Sequence, residues 1–223
     1  MSYKPIFCYL CNTMSVIHPP ISAAILAGGA ATRMGGGQKA ITLLNGKPLI
    51  THQTNLLKPL TDDLLVIANP PHDQFLDVGS VFADLIPGKG PLSGIHAALS
   101  HALHPQVLVL ACDMPLITQE LLVFLITHSR HHQHKAVIPF HQTGFEPLIS
   151  VWPKGLFSDL NDWILAGNPN KIIRFLEEND AMVTLDARQF GQQFANMNTP
   201  DDLLQIKAFI QDDSKLDSRK HYI

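Results

Sequence analysis

The sequence predicts an α/β fold, a three-layer sandwich with a mostly parallel central sheet, on three observations. From Ile21 onward, short aliphatic runs alternate with longer segments of helical periodicity. Hydrophobic residues make up 46% of the chain against 16% charged, and no polar or repetitive tract interrupts them. Finally, 223 residues suit one large domain, a size that buries roughly 70 to 75% of the unfolded surface.

The elements follow in order. Ile21 to Ala27 is the first buried strand. A glycine-rich loop, the run Ile41 to Leu44 and the turn Asn45-Gly46 lead to Pro48, a favoured first helical residue, and a helix to about Leu57. Leu64 to Ala68 is a strand halted by Asn69-Pro70-Pro71, and Val81 to Leu85 is another. Helix Leu92 to Leu103 precedes strand Val107 to Ala111. Beyond Cys112-Asp113-Met114-Pro115, Thr118 is placed to cap a helix that buries Leu121, Leu122, Leu125 and Ile126. Strands Lys135 to Pro139 and Leu148 to Val151 flank a bend at Gly144. Helices near Leu156 to Leu165 and Ile172 to Glu178 and a strand from Met182 to Leu185 come next. Thr199-Pro200-Asp201-Asp202 then opens a terminal helix to about Ile210, with a hydroxyl cap, proline at the first position and carboxylates facing the positive end of the dipole. The expected organisation is a tail over 1–20, a domain over 21–210 and a polar, frayed tail over 211–223, with Met14 an alternative start.

Composition limits the function. A net charge of -3 lacks the positive field of a nucleic-acid or anionic-membrane binder, so any phosphate binding must be local. No apolar run approaches the roughly 20 residues that span a bilayer. Ile6 to Leu10 is too short for an export signal, so the expected location is the cytoplasm. Three cysteines make a poor disulfide framework, and the Cys8/Cys11 pair has no second pair to complete a zinc site. His128, His131, His132 and His134 read as an exposed helix end, where positive charge suits the dipole.

The strongest chemical signal is the stretch from Leu26 to Lys39, directly after the first strand: Leu26-Ala27-Gly28-Gly29-Ala30-Ala31-Thr32-Arg33-Met34-Gly35-Gly36-Gly37-Gln38-Lys39. Its glycines let the backbone approach an anion and turn amide groups toward it, while Arg33 and Lys39 supply charge. It is neither a Walker loop nor a dinucleotide fingerprint. Asp113 ends a buried strand, where open parallel sheets bind ligands, and suits magnesium between triphosphate oxygens. Asp84 opens the rigid turn Asp84-Leu85-Ile86-Pro87-Gly88-Lys89-Gly90-Pro91-Leu92-Ser93-Gly94, suited to a flat base or a ribose. These features together predict a magnesium-dependent nucleotidyltransferase.

The loop, the D-x-x-P-G-x-G-P-L-x-G turn and the C-D-M-P strand end resemble the molybdenum cofactor guanylyltransferase family over about Ile21 to Ile210, with later matches at Glu146-Pro147-Leu148 and at Asn196-Met197-Asn198-Thr199-Pro200-Asp201-Asp202-Leu203. The resemblance implies a Rossmann-like fold that binds GTP and Mg2+ and transfers GMP to the phosphate of molybdopterin, releasing pyrophosphate. Carried over by position, Leu26, Ala27, Gly28 and Lys39 contact the nucleotide, Asp84 helps bind it, and Asp113 binds both nucleotide and metal; Gly29, Arg33 and Asn69 complete the expected nucleotide site, and Arg33, Lys39 and Asp113 are the expected catalytic residues. Glu146, Asn196 and Asn198 face the acceptor. Two positions depart from the family: Gln38 replaces its usual aspartate, and Ile67 stands where some members have a nucleotide-contacting asparagine, leaving Asn69 nearby.

GTP and molybdopterin are the implied substrates, with molybdoenzyme-maturation proteins as partners and the chain a monomer or weak homo-oligomer. The competing readings are a cytidylyltransferase on the same pterin, a sugar-phosphate nucleotidyltransferase and a non-catalytic nucleotide or cofactor carrier. Within the resemblance, Gly28-Gly29 matches the L-A-G-G of the guanylyl branch rather than the L-A-A-G of the cytidylyl branch.

Overall fold

The computed structural model describes residues 20–28 and 39–220, with side chains described as far as residue 210. Its central sheet is built from β1 (Ser22–Leu26), β4 (Asp63–Ile67), β5 (Ser80–Phe82), β6 (Gln106–Ala111), β7 (Ala136–His141), β9 (Ile149–Pro153) and β10 (Met182–Asp186), with the short β8 (Gly144–Phe145) on β7. Their spatial order is β10-β7-β9-β6-β1-β4-β5. All principal pairings are parallel except those of β9, which runs antiparallel to β6 and β7. A small antiparallel hairpin, β2 (Leu43–Leu44) and β3 (Lys47–Pro48), stands apart.

Among the described residues there are six α-helices: α1 (Leu49–Leu57), α2 (Pro91–His101), α3 (Gln119–Ser129), α4 (Phe157–Leu165), α5 (Ile172–Glu178) and α6 (Pro200–Lys220). Strand alternation sorts the core into two layers. Ala23, Ile25, Leu108 and Leu110 pack toward α1 and α3, whereas Ala24, Val107 and Val109 pack toward α2, α4 and α5. A third cluster joins Leu44 and Leu49 to Met197 and Ile206, seating α6 on the hairpin.

Several local expectations change. Pro48 lies in β3 rather than in the first helical turn, because the Asn45-Gly46 turn, with φ of 50° and 78°, closes a hairpin before α1 begins. The Thr118 hydroxyl precedes α3 but does not cap it; its side chain pairs with Gln193 Oε1 at 3.0 Å instead. β5 ends at Phe82, short of the expected Leu85. The terminal helix continues past Ile210 to Lys220.

At the amino end of the sheet, Ser22 and Asp63 form a buried clamp. Ser22 donates to Asp63 Oδ2 at 2.5 Å, the same oxygen accepts the Leu103 N–H at 2.8 Å, and the His104 N–H donates to Ser22 Oγ at 3.0 Å. Asp63→Ala strands the buried Ser22 hydroxyl and removes the acceptor of the Leu103 N–H. The expected cost is roughly 1 to 3 kcal/mol, the range for one buried group left unsatisfied, and urea unfolding measures it. A loss below about 0.5 kcal/mol, ordinary for a surface substitution, would show that the clamp is incidental.

Between α2 and α4, His96 is only 2% exposed, neither ring nitrogen reaches a hydrogen-bond partner, and the ring stacks on Phe157 at 4.8 Å. Burial lowers its pKa, opposed slightly by Asn161. The unfolded chain therefore binds the extra proton first, so the neutral ring's contribution is complete above the ordinary value of 6.5 and is lost as pH falls below it. His96→Leu should gain stability relative to the parent between pH 7 and pH 5. Paired thermal melts showing a constant gap would refute this.

Candidate functional site

Parallel register sets the site. Leu26 lies opposite both Ile67 and Ala111, and Ile67 opposite Phe82, so four strands finish on one row. Backbone bonds carry the row slightly further: Ala27 N–H to Ile67 O at 2.9 Å, and Ala68 N–H to Phe82 O at 2.9 Å. The chain leaves β1 toward β4 on one side, while β6 takes the other. This is the switch point at which open sheets bind ligands beyond their carboxyl ends.

A cleft of about 450 Å³ opens there, lined among others by Leu26, Gly28, Lys39, Asn69, Asp84 and Asp113. Lys39 starts a short 3-10 turn, and its Nζ donates to Asp113 Oδ2 at 2.9 Å, the two side chains being 18% and 19% exposed. The same ammonium donates to Asn198 Oδ1. Asn198 and Thr199 give their N–H groups to Asp202 Oδ2, each at 2.8 Å, while Thr199 Oγ1 accepts the Asp202 N–H at 3.2 Å. The Thr199 hydroxyl cap is the one read in the sequence, and the Asp202 side chain makes it reciprocal. The Met197 N–H also donates to Asp113 O at 2.8 Å, so the α6 entry is fixed directly to the end of β6.

On the β4–β5 side, Asn69 grips Asp84 twice: Nδ2 donates to Asp84 Oδ2 at 2.7 Å, and Oδ1 accepts the Asp84 N–H at 3.0 Å. An asparagine side chain thus replaces the strand ladder, which explains why β5 stops before Asp84. The following turn is held by Ser93, whose hydroxyl donates to Ile86 O at 2.6 Å and accepts the Lys89 N–H at 3.0 Å. Gly90, with φ +60° and ψ -141°, adopts a conformation that a side chain would strain.

The sequence reading carried Gly94 and Leu148 only inside longer motifs and did not single either out as a site residue. A Cβ on Gly94 would stand 3.2 Å from Leu26 Cδ2, so a side chain there would press on the end of β1 at the cleft. A glycine inside a helical pattern was the available signal. Leu148 comes from the bend before β9, and its carbonyl accepts the Ala111 N–H at 2.8 Å.

The same bend carries Glu146, whose N–H donates to Pro139 O at 3.0 Å. Burial pushes the Glu146 carboxyl up to about 7; the Leu148 N–H pulls the other way, and the Asp113 carboxylate adds to the rise. Burial, and then Asp113, push the Cys112 thiol up to about 12, leaving it protonated and unreactive near neutrality.

Leu26, Ala27, Gly28, Lys39, Asn69, Asp84 and Asp113 thus stand together at the carboxyl edge, with Glu146 close enough to feel the Asp113 charge. Asn198 lies against Lys39. Asn196 lines a second groove with Leu116, Gln192, Asp202 and Phe209, beside α6. Gly29, Arg33 and Gln38, like Cys8 and Cys11, fall outside the described residues. His131 and His134 are exposed just beyond α3, while the His128 ring lies against Phe124 with its Nδ1 2.8 Å from Phe124 O.

Residues 23–182 match the family model described as MobA-like NTP transferase domain. A molybdenum cofactor guanylyltransferase of Pseudomonas fluorescens (strain SBW25) is 36% identical over 197 residues, covering 86% of this chain and 96% of that protein. One from Vibrio cholerae is 33% identical over 210 residues, covering 88% and 97%. Among solved structures, molybdopterin-guanine dinucleotide biosynthesis protein A from Archaeoglobus fulgidus superposes with a TM-score of 0.73 at 29% identity, covering 86% of this chain and 99% of that one. A CMP:2-keto-3-deoxy-manno-octonic acid synthetase shares the fold alone, with a TM-score of 0.70 at 13% identity over 87% of this chain and 99% of that one. With the family model and near full-length relatives falling on the strands and turns that form the cleft, the chain belongs to the molybdenum cofactor guanylyltransferases of the MobA-like NTP transferase family.

Proposed function

We propose that this chain transfers GMP from GTP to the terminal phosphate of molybdopterin, releasing pyrophosphate, with Mg2+ as the metal and the cytoplasm as the location. The observation that carries the reading is the Lys39–Asp113 pair at the switch point, inside a cleft whose β4–β5 side is built from the Asn69–Asp84 grip and the Gly90 turn. Among the described residues no helix is long and apolar enough to cross a membrane.

The donor set suits magnesium. Among the described residues no three His, Cys, Asp or Glu side chains gather into a metal cluster. A single hard carboxylate at a phosphate site is how Mg2+ is commonly held, the other ligands being phosphate oxygens and water. Bound at Asp113, the ion would neutralise charge on the triphosphate.

The remaining work falls to the chain. Ala27 and Gly28 bring backbone to the anion at the end of β1, and Asn69, Asp84 and the turn through Gly90 enclose the nucleoside. A phosphate monoester has a second pKa near 6, so the acceptor is largely ionised at neutral pH and attacks the α-phosphorus without a strong base. Lys39, together with Arg33, offsets charge on the departing pyrophosphate. Asn198, fixed by the α6 cap, positions the Lys39 ammonium over the cleft.

Lys39→Ala and Asp113→Ala should each lower turnover roughly 100- to 1000-fold, the range for losing one electrostatic stabiliser. The assay supplies GTP, Mg2+ and molybdopterin and weighs the product by mass spectrometry. Near-normal turnover in both variants would remove the mechanism. In parallel, calorimetry with magnesium should show GTP binding well ahead of CTP; the reverse order would assign the chain to cytidylyl transfer.

A further inference from the structure

Across β9 from the cleft, the sheet edge carries a feature that the nucleotide does not use. β7 and β8 pair Phe140 with Phe145, and both rings are partly exposed, at 38% and 39%, although Val137 and Ile138 of the same strand are fully buried. The rings meet edge to face, with centroids 5.5 Å apart and planes inclined at 62°. Scattered exposed leucines on a surface need no explanation, but a paired aromatic step at the margin of a cleft does.

Strand alternation places the step on the same face as the cleft. His141 stacks on Phe194 at 4.3 Å and so belongs to the α1–α3 face, which puts its neighbour Phe140 on the α2 face. Gly90, Pro91 and Gly94 of α2 and its leading turn line the cleft from that same side. Moving from β6 past β9 to β7 crosses two strand spacings, about 10 Å. Leu148 fills the interval, and Glu146 follows Phe145 directly.

We propose that Phe140 and Phe145 form the platform on which the flat heterocycle of the acceptor stacks while its phosphate reaches the α-phosphorus beside Asp113. This deepens the reading above and rests on it. In-line attack requires the acceptor to approach from the side opposite the pyrophosphate. The nucleoside takes the β4–β5 end, so the sheet edge toward β7 is the ground left for the acceptor's ring. An aromatic ledge two strand spacings, about 10 Å, from the end of β6 suits a fused, conjugated ring joined to its phosphate through a short saturated linker, and stacking needs no matched hydrogen bonds.

The test uses the full chain with molybdopterin as acceptor. Phe140→Ala and Phe145→Ala should raise the KM for molybdopterin about 5- to 100-fold, the range for removing one aromatic stacking partner, while GTP affinity by calorimetry stays within about twofold and kcat falls less than KM rises. Phe145→Trp should restore the KM and Phe145→Leu should not, which separates stacking from apolar packing. The proposal is overturned if the double alanine variant keeps its KM, if leucine rescues as well as tryptophan, or if GTP affinity falls in step. The parent chain is the separate control: failure of its transfer to molybdopterin overturns the guanylyl-transfer reading itself and the platform with it, whereas normal transfer with unmoved KM values removes the platform alone.

Discussion

The shared register of β4, β1 and β6 is the constraint on which the site depends. Because Leu26 faces Ile67 on one side and Ala111 on the other, three turns begin at the same height: the glycine loop after β1, the Asn69 turn after β4 and the Asp113 turn after β6. A slip of one residue would flip the apolar faces of a strand and turn its side chains from one helix layer to the other. The burial that holds these strands together, with Ala23, Ala24, Ile25, Val107 and Leu108 fully enclosed, is therefore also what brings the end of β1 level with the end of β6, just before Asp113. The Ser22–Asp63 clamp at the other end of β1 and β4 fixes the same register from below.

Over this row the Lys39 ammonium is shared between Asp113 and Asn198. A charge pair this close to the surface is attractive by a few kcal/mol at most. On the proposed reading, a triphosphate would bring several negative charges to the same place, its oxygens would compete for the lysine, and the acid would be freed to meet a cation. The arrangement also explains why the start of α6 belongs to the site. Asp202 does not touch the cleft chemistry, yet by accepting two N–H groups it fixes the backbone from which Asn198 reaches the lysine.

Much of this was legible in the sequence because it depends on local chemistry. Apolar runs gave the main strands within a residue or two except at the end of β5, the Thr199 to Asp202 signature gave the hydroxyl cap, and position at a strand end gave Asp113 its place. What the sequence withheld is tertiary. The Asn69 grip on Asp84 that ends β5, the use of Thr118 for Gln193 rather than for its own helix, and the Asn198 contact to a lysine 159 residues away in sequence all depend on partners that no local pattern specifies. Asn196 and Asn198 looked equivalent in the motif, and only the packing of α6 divides them between two surfaces.

The antiparallel strand has the same kind of logic. Were β9 parallel to β6, a strand end would arrive at the cleft and its turn would have to leave again across the site. Running the other way, β9 brings its beginning to the edge, so that the bend Glu146-Pro147-Leu148 comes in from the β7–β8 hairpin and passes directly into a buried strand. That bend is braced from inside: the Trp152 indole donates to Ser150 Oγ at 2.7 Å, and Ser150 donates in turn to Pro147 O at 2.6 Å. Trp152 is fully buried against the α5 side of the core, so the brace draws on one of the largest apolar groups in the protein. The two halves of the cleft are consequently built by different means. Parallel turns and glycines shape the half beside β4 and β5, while a tryptophan-anchored reversal shapes the half beside β7, and the two meet over the ends of β1 and β6.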